Sequence, residues 1–201
     1  VATVCVKPYH TRQAAAILKN TGIGICSVIG FPHGNSTFEI KVNETRQVIA
    51  DGATEVDMVI NIGKALQGDW EYIENEIGPI NETCTDRNAI LKVIFETDYL
   101  TADADKIMLC KICSKQKAAY VKTSTGYGFV KGQDGKYSYS GATEKDIILM
   151  RKHCSYNMGI KAAGGIRNLD RLIKMHELGA SRIGVSATES IMQEAIKRYG
   201  K

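Results

Sequence analysis

Short apolar stretches rich in β-branched residues recur along the chain, and most are apolar on both faces. A stretch without clean polar alternation is typical of a buried parallel strand, which is covered on both sides. Seven such strands are predicted, at Ala2–Val6, Ile25–Gly30, Val56–Ile62, Ile90–Phe95, Ala119–Thr123, Gly159–Ala163 and Arg182–Val185.

Segments with the helical spacing of apolar residues separate these strands. They include Thr11–Lys19, Phe38–Ala50, Ala102–Cys113, Thr143–His153, Leu169–Leu178 and Thr188–Arg198. Thr143 and Asn168 each precede a first turn that carries acidic residues, so both are predicted N-caps. The strict alternation of strand and helix predicts an α/β fold with a parallel sheet, either a closed barrel or an open doubly wound sheet.

The number of units favours a (β/α)8 TIM barrel. Polar, glycine-rich segments follow successive strands, which is the arrangement of an active site at the C-terminal strand ends of such a barrel. Only seven units are visible, and we therefore expect this chain to lack the first strand and helix of the barrel. Neither the G-x-G-x-x-G fingerprint nor a G-x-x-x-x-G-K-[ST] loop occurs, which disfavours the usual nucleotide-binding folds.

Composition indicates one domain over residues 1–201, because 44% of the residues are hydrophobic and no linker-like stretch interrupts them. No apolar run approaches the ~18 residues of a membrane helix, and Val1–Cys5 lacks the basic start of a signal peptide. The six cysteines are scattered, as in reduced proteins, so we expect a cytosolic location.

The net charge of +4 is spread along the chain, which argues against nucleic-acid binding and suits a small anionic ligand.

Four ionisable residues interrupt the apolar strand patterns, namely Asp57, Lys92, Lys122 and Lys161. Such side chains are almost never buried unless they are paired, and a barrel strand has no solvent-facing side. Lys122 and Lys161 lie on consecutive predicted strands, so similar heights would bring two ammonium groups together. A neighbouring cation and burial would both lower the pKa of Lys122 toward neutrality and make its amine a nucleophile.

Other residues could complete this pocket. Asp57 would offset the remaining positive charge and relay a proton, while Cys5 and Lys92 could line the pocket. Glu96 follows the strand of Lys92 and is expected to pair with that lysine. The alternative is that these strands have one exposed face, from which the lysine side chains extend to water.

Glycines and hydroxyl groups follow three successive strands near the end of the chain. In barrels, backbone N–H groups after the last strands, with a helix N-terminus nearby, commonly bind phosphate. The candidates for such a phosphate cradle are Thr125, Gly126, Gly164, Gly165, Gly184 and Ser186. We find no cluster with the spacing of metal ligands, so neither a metal nor another cofactor is expected.

Five motifs together resemble the deoxyribose-phosphate aldolase family, and they occur in order along essentially the whole chain. They are Val28–Gly34 (VIGFPHG), Glu55–Gly63 (EVDMVINIG), Leu91–Thr97 (LKVIFET), Val121–Tyr127 (VKTSTGY) and Gly159–Arg167 (GIKAAGGIR). The resemblance implies a carbon–carbon lyase that cleaves 2-deoxy-D-ribose 5-phosphate reversibly to acetaldehyde and D-glyceraldehyde 3-phosphate. It also implies that Lys122 forms the Schiff base, that Lys161 perturbs it and that Asp57 acts as acid and base.

Two departures from the family and two rival functions remain open. The family's first strand normally contributes polar groups, including an aspartate, that are absent here. The segment Gly128–Ser140 is longer than in many members, and it is either a lid or a solvated insertion.

The rivals are another phosphate-binding barrel enzyme and a barrel that only binds a ligand or another subunit. The expected partner is a small phosphorylated aldehyde or sugar, and a homodimer is the assembly considered.

Overall fold

A computed structural model describes residues 1–200 of the 201-residue chain. The strands are β1 (Thr3–Val6), β2 (Gly24–Ile29), β3 (Glu55–Val59), β4 (Ile90–Ile94), β5 (Tyr120–Lys122), β6 (Val130–Lys131), β7 (Tyr137–Ser138), β8 (Gly159–Ala163) and β9 (Arg182–Gly184). The α-helices are α1 (Thr11–Ile17), α2 (Phe38–Ala50), α3 (Ile62–Leu66), α4 (Trp70–Thr85), α5 (Asp103–Lys115), α6 (Glu144–His153), α7 (Leu169–Glu177) and α8 (Thr188–Tyr199). A short 3-10 turn, Pro8–His10, precedes α1.

Seven strands form one parallel sheet in the order β1-β2-β3-β4-β5-β8-β9, and β6 and β7 form a separate antiparallel hairpin. Every neighbouring pair in the large sheet is parallel and consecutive in the chain, apart from the excursion into the hairpin. This arrangement confirms the predicted barrel class with one of its eight strand-helix units lacking.

The two edge strands of the sheet face each other without pairing within residues 1–200. A cavity of about 490 Å³ lies beside them and is lined by β1, β9 and the apolar side chains of Leu172, Ile191 and Met192. Arg182 of β9 reaches toward the other side, with its Nη1 at 3.4 Å from Thr3 Oγ1. The sheet is therefore a curled, open version of a barrel wall.

The core lies in and around the central strands β2, β3, β4, β5 and β8 of the parallel sheet, all of which are largely buried. Helices pack against this sheet, and the predicted N-caps are confirmed at two of them. Thr143 Oγ1 accepts the N–H of Asp146 at the start of α6, and Asn168 Oδ1 accepts that of Arg171 at the start of α7. Among residues 1–200, no helix has both the length and the apolar character needed to cross a membrane.

Some segments differ from the sequence-based prediction. The strand predicted over Val56–Ile62 ends at Val59, because Asn61 starts α3 by accepting the N–H of Lys64 through its side chain. Helix α4 and the β6–β7 hairpin were not predicted as elements. The hairpin occupies the glycine-rich segment Gly128–Ser140, whose short strands have no apolar pattern of their own.

A buried ion pair between Lys41 of α2 and Glu76 of α4 holds the C-terminal end of β3. Both side chains are fully buried. Lys41 Nζ also donates to the carbonyl of Val59 at 2.8 Å, and Glu76 accepts the N–H of Asn61 at 2.9 Å. The backbone after β3 is thus held from behind by two helices, and β3 carries the first residue of the candidate site.

Candidate active site

Asp57 lies at the centre of a cluster of three buried lysines. Its Oδ1 accepts from Lys92 Nζ at 2.8 Å, and its Oδ2 accepts from Lys122 Nζ at 2.8 Å and Lys161 Nζ at 2.6 Å. Asp57 is fully buried and the three lysine residues are at most 5% exposed. The predicted meeting of the four charges is confirmed, and the alternative in which these lysines extend to water is wrong.

Strand register explains why these residues meet. Lys122 of β5 is directly opposite Lys161 of β8, and Asp57 of β3 is directly opposite Lys92 of β4. Paired positions on adjacent strands are about 5 Å apart and point to the same face of the sheet. The equal heights expected for Lys122 and Lys161 are therefore present, with Asp57 between them and Lys92.

Glu55 and Arg182 extend the cluster, and neither was predicted from the sequence. Glu55 accepts from Lys92 Nζ at 2.6 Å and from the Arg182 guanidinium at 3.3 Å. Glu55 and Asp57 are two residues apart on one strand, so they share a face of the sheet. That spacing of two residues was the signal from which Glu55 could have been predicted to join Asp57. The cluster thus joins Lys92, Lys122, Lys161 and Arg182 to two carboxylates.

The electrostatic result differs from the expectation for Lys122. Burial alone would lower the pKa of Lys122, but the Asp57 carboxylate and the Cys5 sulfur outweigh it, and its pKa lies above the ordinary lysine value. Burial alone would raise the pKa of Asp57, but Lys122, Lys161 and Lys92 hold it well below the usual range. The predicted lowering of the Lys122 pKa is therefore wrong. The prediction gave burial and the second lysine more weight than Asp57, whose carboxylate directly contacts the Lys122 ammonium.

Two cysteines, Cys5 of β1 and Cys26 of β2, lie near Asp57. A hydrogen bond with Cys26 lowers the pKa of Cys5 to about 6, and the pKa of Cys26 is correspondingly raised. One possible ligand atom from each of Cys5, Cys26 and Asp57 lies within 4.8 Å of the others, although the sequence indicated no metal-ligand cluster. Three ammonium groups already contact this carboxylate. Their positive charge opposes a cation at the same place, so these residues do not suit a metal.

A cavity of about 490 Å³ opens above the cluster at the C-terminal ends of the strands. Nine of the predicted site residues line it: Cys5, Lys122, Thr125, Gly126, Lys161, Gly164, Gly165, Gly184 and Ser186. Asp57 lies behind the two lysines and is not part of the cavity wall. The structure therefore brings the candidate nucleophile and the candidate phosphate cradle to one cavity.

Lys92 and Glu96 differ from their predicted places. Lys92 is fully buried behind Asp57 and does not line this cavity, because Glu55 and Asp57 hold its ammonium group on the inner side of the sheet. Glu96 does not pair with Lys92. It adopts a positive φ of 57°, and its carboxylate accepts the backbone N–H and the hydroxyl of Thr125. Burial raises the pKa of Glu96.

Backbone glycines shape one wall of the cavity. Gly164 and Gly165 have φ values of +92° and +74°, a region that residues with a Cβ atom rarely adopt. A Cβ atom at Gly164 would lie 2.9 Å from the Cα of Gly141. Ser186 lies two residues before the start of α8, so a helix N-terminus adjoins the same wall. This combination of bare backbone and a helix start suits an anion.

Several residues at the mouth of the cavity were not predicted. They comprise the cations Lys7 and Arg167 and the aromatic residues Phe31, Tyr127 and Tyr139. Lys7 directly follows β1, and a charged residue at a strand end was the signal that could have identified it. The Lys7 ammonium lies 5.8 Å from the centre of the Tyr127 ring. Among the described residues, those that line this cavity include no carboxylate, so the cavity favours a negatively charged ligand.

Comparison with known proteins agrees with this arrangement. The deoxyribose-phosphate aldolase of Rhodopirellula baltica is 46% identical over 200 residues, which is 100% of this chain and 78% of that protein. The solved structure of QR15, an aldolase, superposes with a TM-score of 0.88 at 34% identity and covers 99% of this chain and 83% of its own. The tetrameric deoxyribose phosphate aldolase of Aeropyrum pernix has a TM-score of 0.82 at 28% identity, and the match covers 96% of this chain and 76% of that one.

A family model described as DeoC/LacD family aldolase matches residues 1–194. The match spans every strand of the parallel sheet and thus all the residues of the lysine cluster and the glycine wall. On this extent of similarity, the chain belongs to the DeoC/LacD family of aldolases.

Proposed function

We propose that this protein is a class I aldolase that cleaves 2-deoxy-D-ribose 5-phosphate reversibly to acetaldehyde and D-glyceraldehyde 3-phosphate through a Schiff base on Lys122. One observation carries the proposal. The ammonium of Lys122 borders a cavity that is also lined by the glycines of the candidate phosphate cradle, while Asp57 Oδ2 holds it beside Lys161. A substrate with an aldehyde at one end and a phosphate at the other fits this polarity.

The first chemical step is imine formation on the open-chain aldehyde. Lys122 Nζ attacks the carbonyl carbon, and two protons of the original ammonium pass to the carbonyl oxygen, which leaves as water. The positive charge stays on the protonated imine, so the step needs no net change of charge beside Asp57. The raised pKa of Lys122 in the free protein makes a local proton acceptor necessary, and Asp57 Oδ2 is the acceptor in contact with it.

The second step breaks the C2–C3 bond. Deprotonation of the C3 hydroxyl allows the electrons of that bond to move into the iminium, which leaves an enamine on Lys122 and releases D-glyceraldehyde 3-phosphate. Protonation of the enamine carbon and hydrolysis then release acetaldehyde. Lys161 shares Asp57 Oδ2 with Lys122, and the two can pass a proton between substrate, water and carboxylate.

Substrate orientation would follow from the charges around the cavity. Lys122 and Lys161 are neutralised in part by Asp57, whereas Lys7 and Arg167 at the mouth have no carboxylate partner within residues 1–200. A phosphate would be drawn toward this mouth and toward the backbone N–H groups of the glycine wall. The aldehyde then points to Lys122.

Reductive trapping tests the proposed nucleophile. Incubation of the protein with acetaldehyde and sodium borohydride is expected to leave an ethyl group on the Nζ of Lys122, because the reduced imine is stable. Peptide mass spectrometry locates the group, and a sample without aldehyde is the control. Failure to find ethylated Lys122, or an adduct only on an exposed lysine such as Lys111, would contradict the proposed mechanism.

Replacing Lys161 with leucine is expected to lower activity more at pH 7 than at pH 9.5. Without Lys161, Asp57 Oδ2 pairs with Lys122 alone and raises the pKa of Lys122 further. Each added pKa unit reduces the neutral amine roughly tenfold at pH 7, so kcat/KM should fall by at least about tenfold there. Measured pH-rate profiles should show the loss shrinking at high pH. Lys161→Arg retains the cation as a control, and an unchanged profile for Lys161→Leu would remove Lys161 from the mechanism.

Three broader statements remain predictions from the sequence. They are a single domain over residues 1–201, a homodimer and a cytosolic location. The tetramer described for the Aeropyrum pernix enzyme is a property of that protein. None of these statements alters the chemistry proposed for Lys122.

A further inference from the structure

Asp98 follows β4 and contacts the far end of the hairpin segment. Its carboxylate accepts the N–H of Ser140 at 2.5 Å and that of Gly141 at 3.0 and 3.2 Å. Within residues 1–200, no lysine or arginine forms an ion pair with it. A half-buried carboxylate is thus used to hold two consecutive backbone amides, and such charge-assisted hydrogen bonds are roughly twice as strong as neutral ones.

The two residues that Asp98 holds lie directly against the glycine wall of the cavity. Gly141 has a φ of +66°, and a Cβ atom there would lie 2.5 Å from the carbonyl of Gly164. The N–H of Ala142 donates to that same carbonyl at 3.1 Å. A Cβ atom at Gly165 would lie 3.1 Å from the carbonyl of Ser140. Ser140 and Gly141 therefore form the backing of Gly164 and Gly165.

Asp98 is separate from the lysine cluster. It makes no hydrogen bond to Asp57, Lys122 or Lys161, whose partners are one another and side chains on β1, β2 and β4. A change at Asp98 can therefore move the glycine wall while the amine chemistry stays in place.

We propose that Asp98 is a positioning residue that gives this aldolase its preference for phosphorylated substrates. By holding Ser140 and Gly141 against Gly164 and Gly165, it fixes the direction of the backbone N–H groups that would bind the phosphate. Binding by backbone groups depends on their exact placement, because they cannot rotate to follow the ligand. This inference rests on the proposed function and adds the residue that controls its substrate class.

The test compares Asp98→Ala with Asp134→Ala. Asp134 is the matched control, because its carboxylate also accepts a backbone N–H in the same hairpin, from Lys136 at 3.1 Å, but does not contact the glycine wall. For Asp98→Ala we expect KM for 2-deoxyribose 5-phosphate to rise at least about tenfold, with kcat little changed. The kcat/KM for unphosphorylated 2-deoxyribose should stay within about twofold, as should all constants of Asp134→Ala.

Calorimetric binding of inorganic phosphate gives a second readout that does not need aldolase activity. Phosphate should bind at least about tenfold more weakly to Asp98→Ala than to the wild type, whether or not the proposed reaction occurs. Equal phosphate affinity would overturn the inference, and so would an equal loss of activity on both sugars or the same selective loss in Asp134→Ala. If Asp98→Ala does not fold, Asp98→Asn is read in the same way, with a smaller rise in KM because one acceptor oxygen remains.

Discussion

Replacement of Lys122 by methionine is expected to lower kcat/KM for 2-deoxyribose 5-phosphate by at least about 10³-fold, because no other amine can form the imine in the same position. Lys161 of β8 lies beside Lys122, so its amine enters the cavity from a different strand. Methionine fills a similar volume without a charge. Asp57 keeps a lysine on each oxygen, so the free energy of unfolding should change by less than about 2 kcal/mol. A coupled assay of D-glyceraldehyde 3-phosphate release and urea unfolding measure the two effects.

Two controls separate the loss of the amine from the loss of a charge. Lys92→Met removes another ammonium from Asp57 but lies outside the cavity, so borohydride should still ethylate Lys122. Lys111→Met changes an exposed lysine on α5 and should leave activity unaltered. If Lys122→Met keeps more than about a tenth of the wild-type activity, covalent catalysis through Lys122 is wrong.

The parallel strands could be predicted because burial on both faces leaves a direct mark on the sequence. For the same reason a lysine or aspartate inside such a strand was conspicuous, and the pairing of Lys122 with Lys161 followed from consecutive strands of similar length. The structure confirms that pairing in register. At these positions, composition and spacing were enough to predict which side chains meet, because the barrel fixes the neighbours of each strand.

The predictions that failed concern Glu96, the pKa of Lys122 and the missed residue Asp98. Each depends on local geometry that leaves no periodic pattern in the sequence. Glu96 turns toward Thr125 because its backbone adopts a positive φ. Non-glycine residues rarely adopt a positive φ, so there was no reason in the sequence to expect it here. The pKa of Lys122 is raised because the Asp57 carboxylate contacts its ammonium group and outweighs burial. The sequence does not show whether a carboxylate on another strand is in contact or distant. Asp98 was missed because its partners are backbone groups 42 and 43 residues away.

Asp57→Asn is expected to lower the free energy of unfolding by about 3–5 kcal/mol at pH 7, as is typical when one member of a buried charge network is removed. An amide at this place can no longer neutralise Lys92, Lys122 and Lys161, and its NH2 group would face ammonium donors. Asp69→Asn is the matched control. Its surface pair with Lys64 contributes little, and asparagine keeps the N-cap of α4, so we expect a change below about 1 kcal/mol.

The pH dependence distinguishes lost charge pairing from lost packing. The pKa of Asp57 is held below its ordinary value, so its contribution is present above an unfolded pKa of about 4 and is lost as pH falls through the lower folded value. The pKa of Lys122 is raised, so that contribution is present below an unfolded value of about 10.4 and is lost as pH rises through the folded one. Urea unfolding of wild type and Asp57→Asn should therefore differ most between these limits and converge outside them. A difference independent of pH would mean that Asp57 acts through packing rather than through its charge.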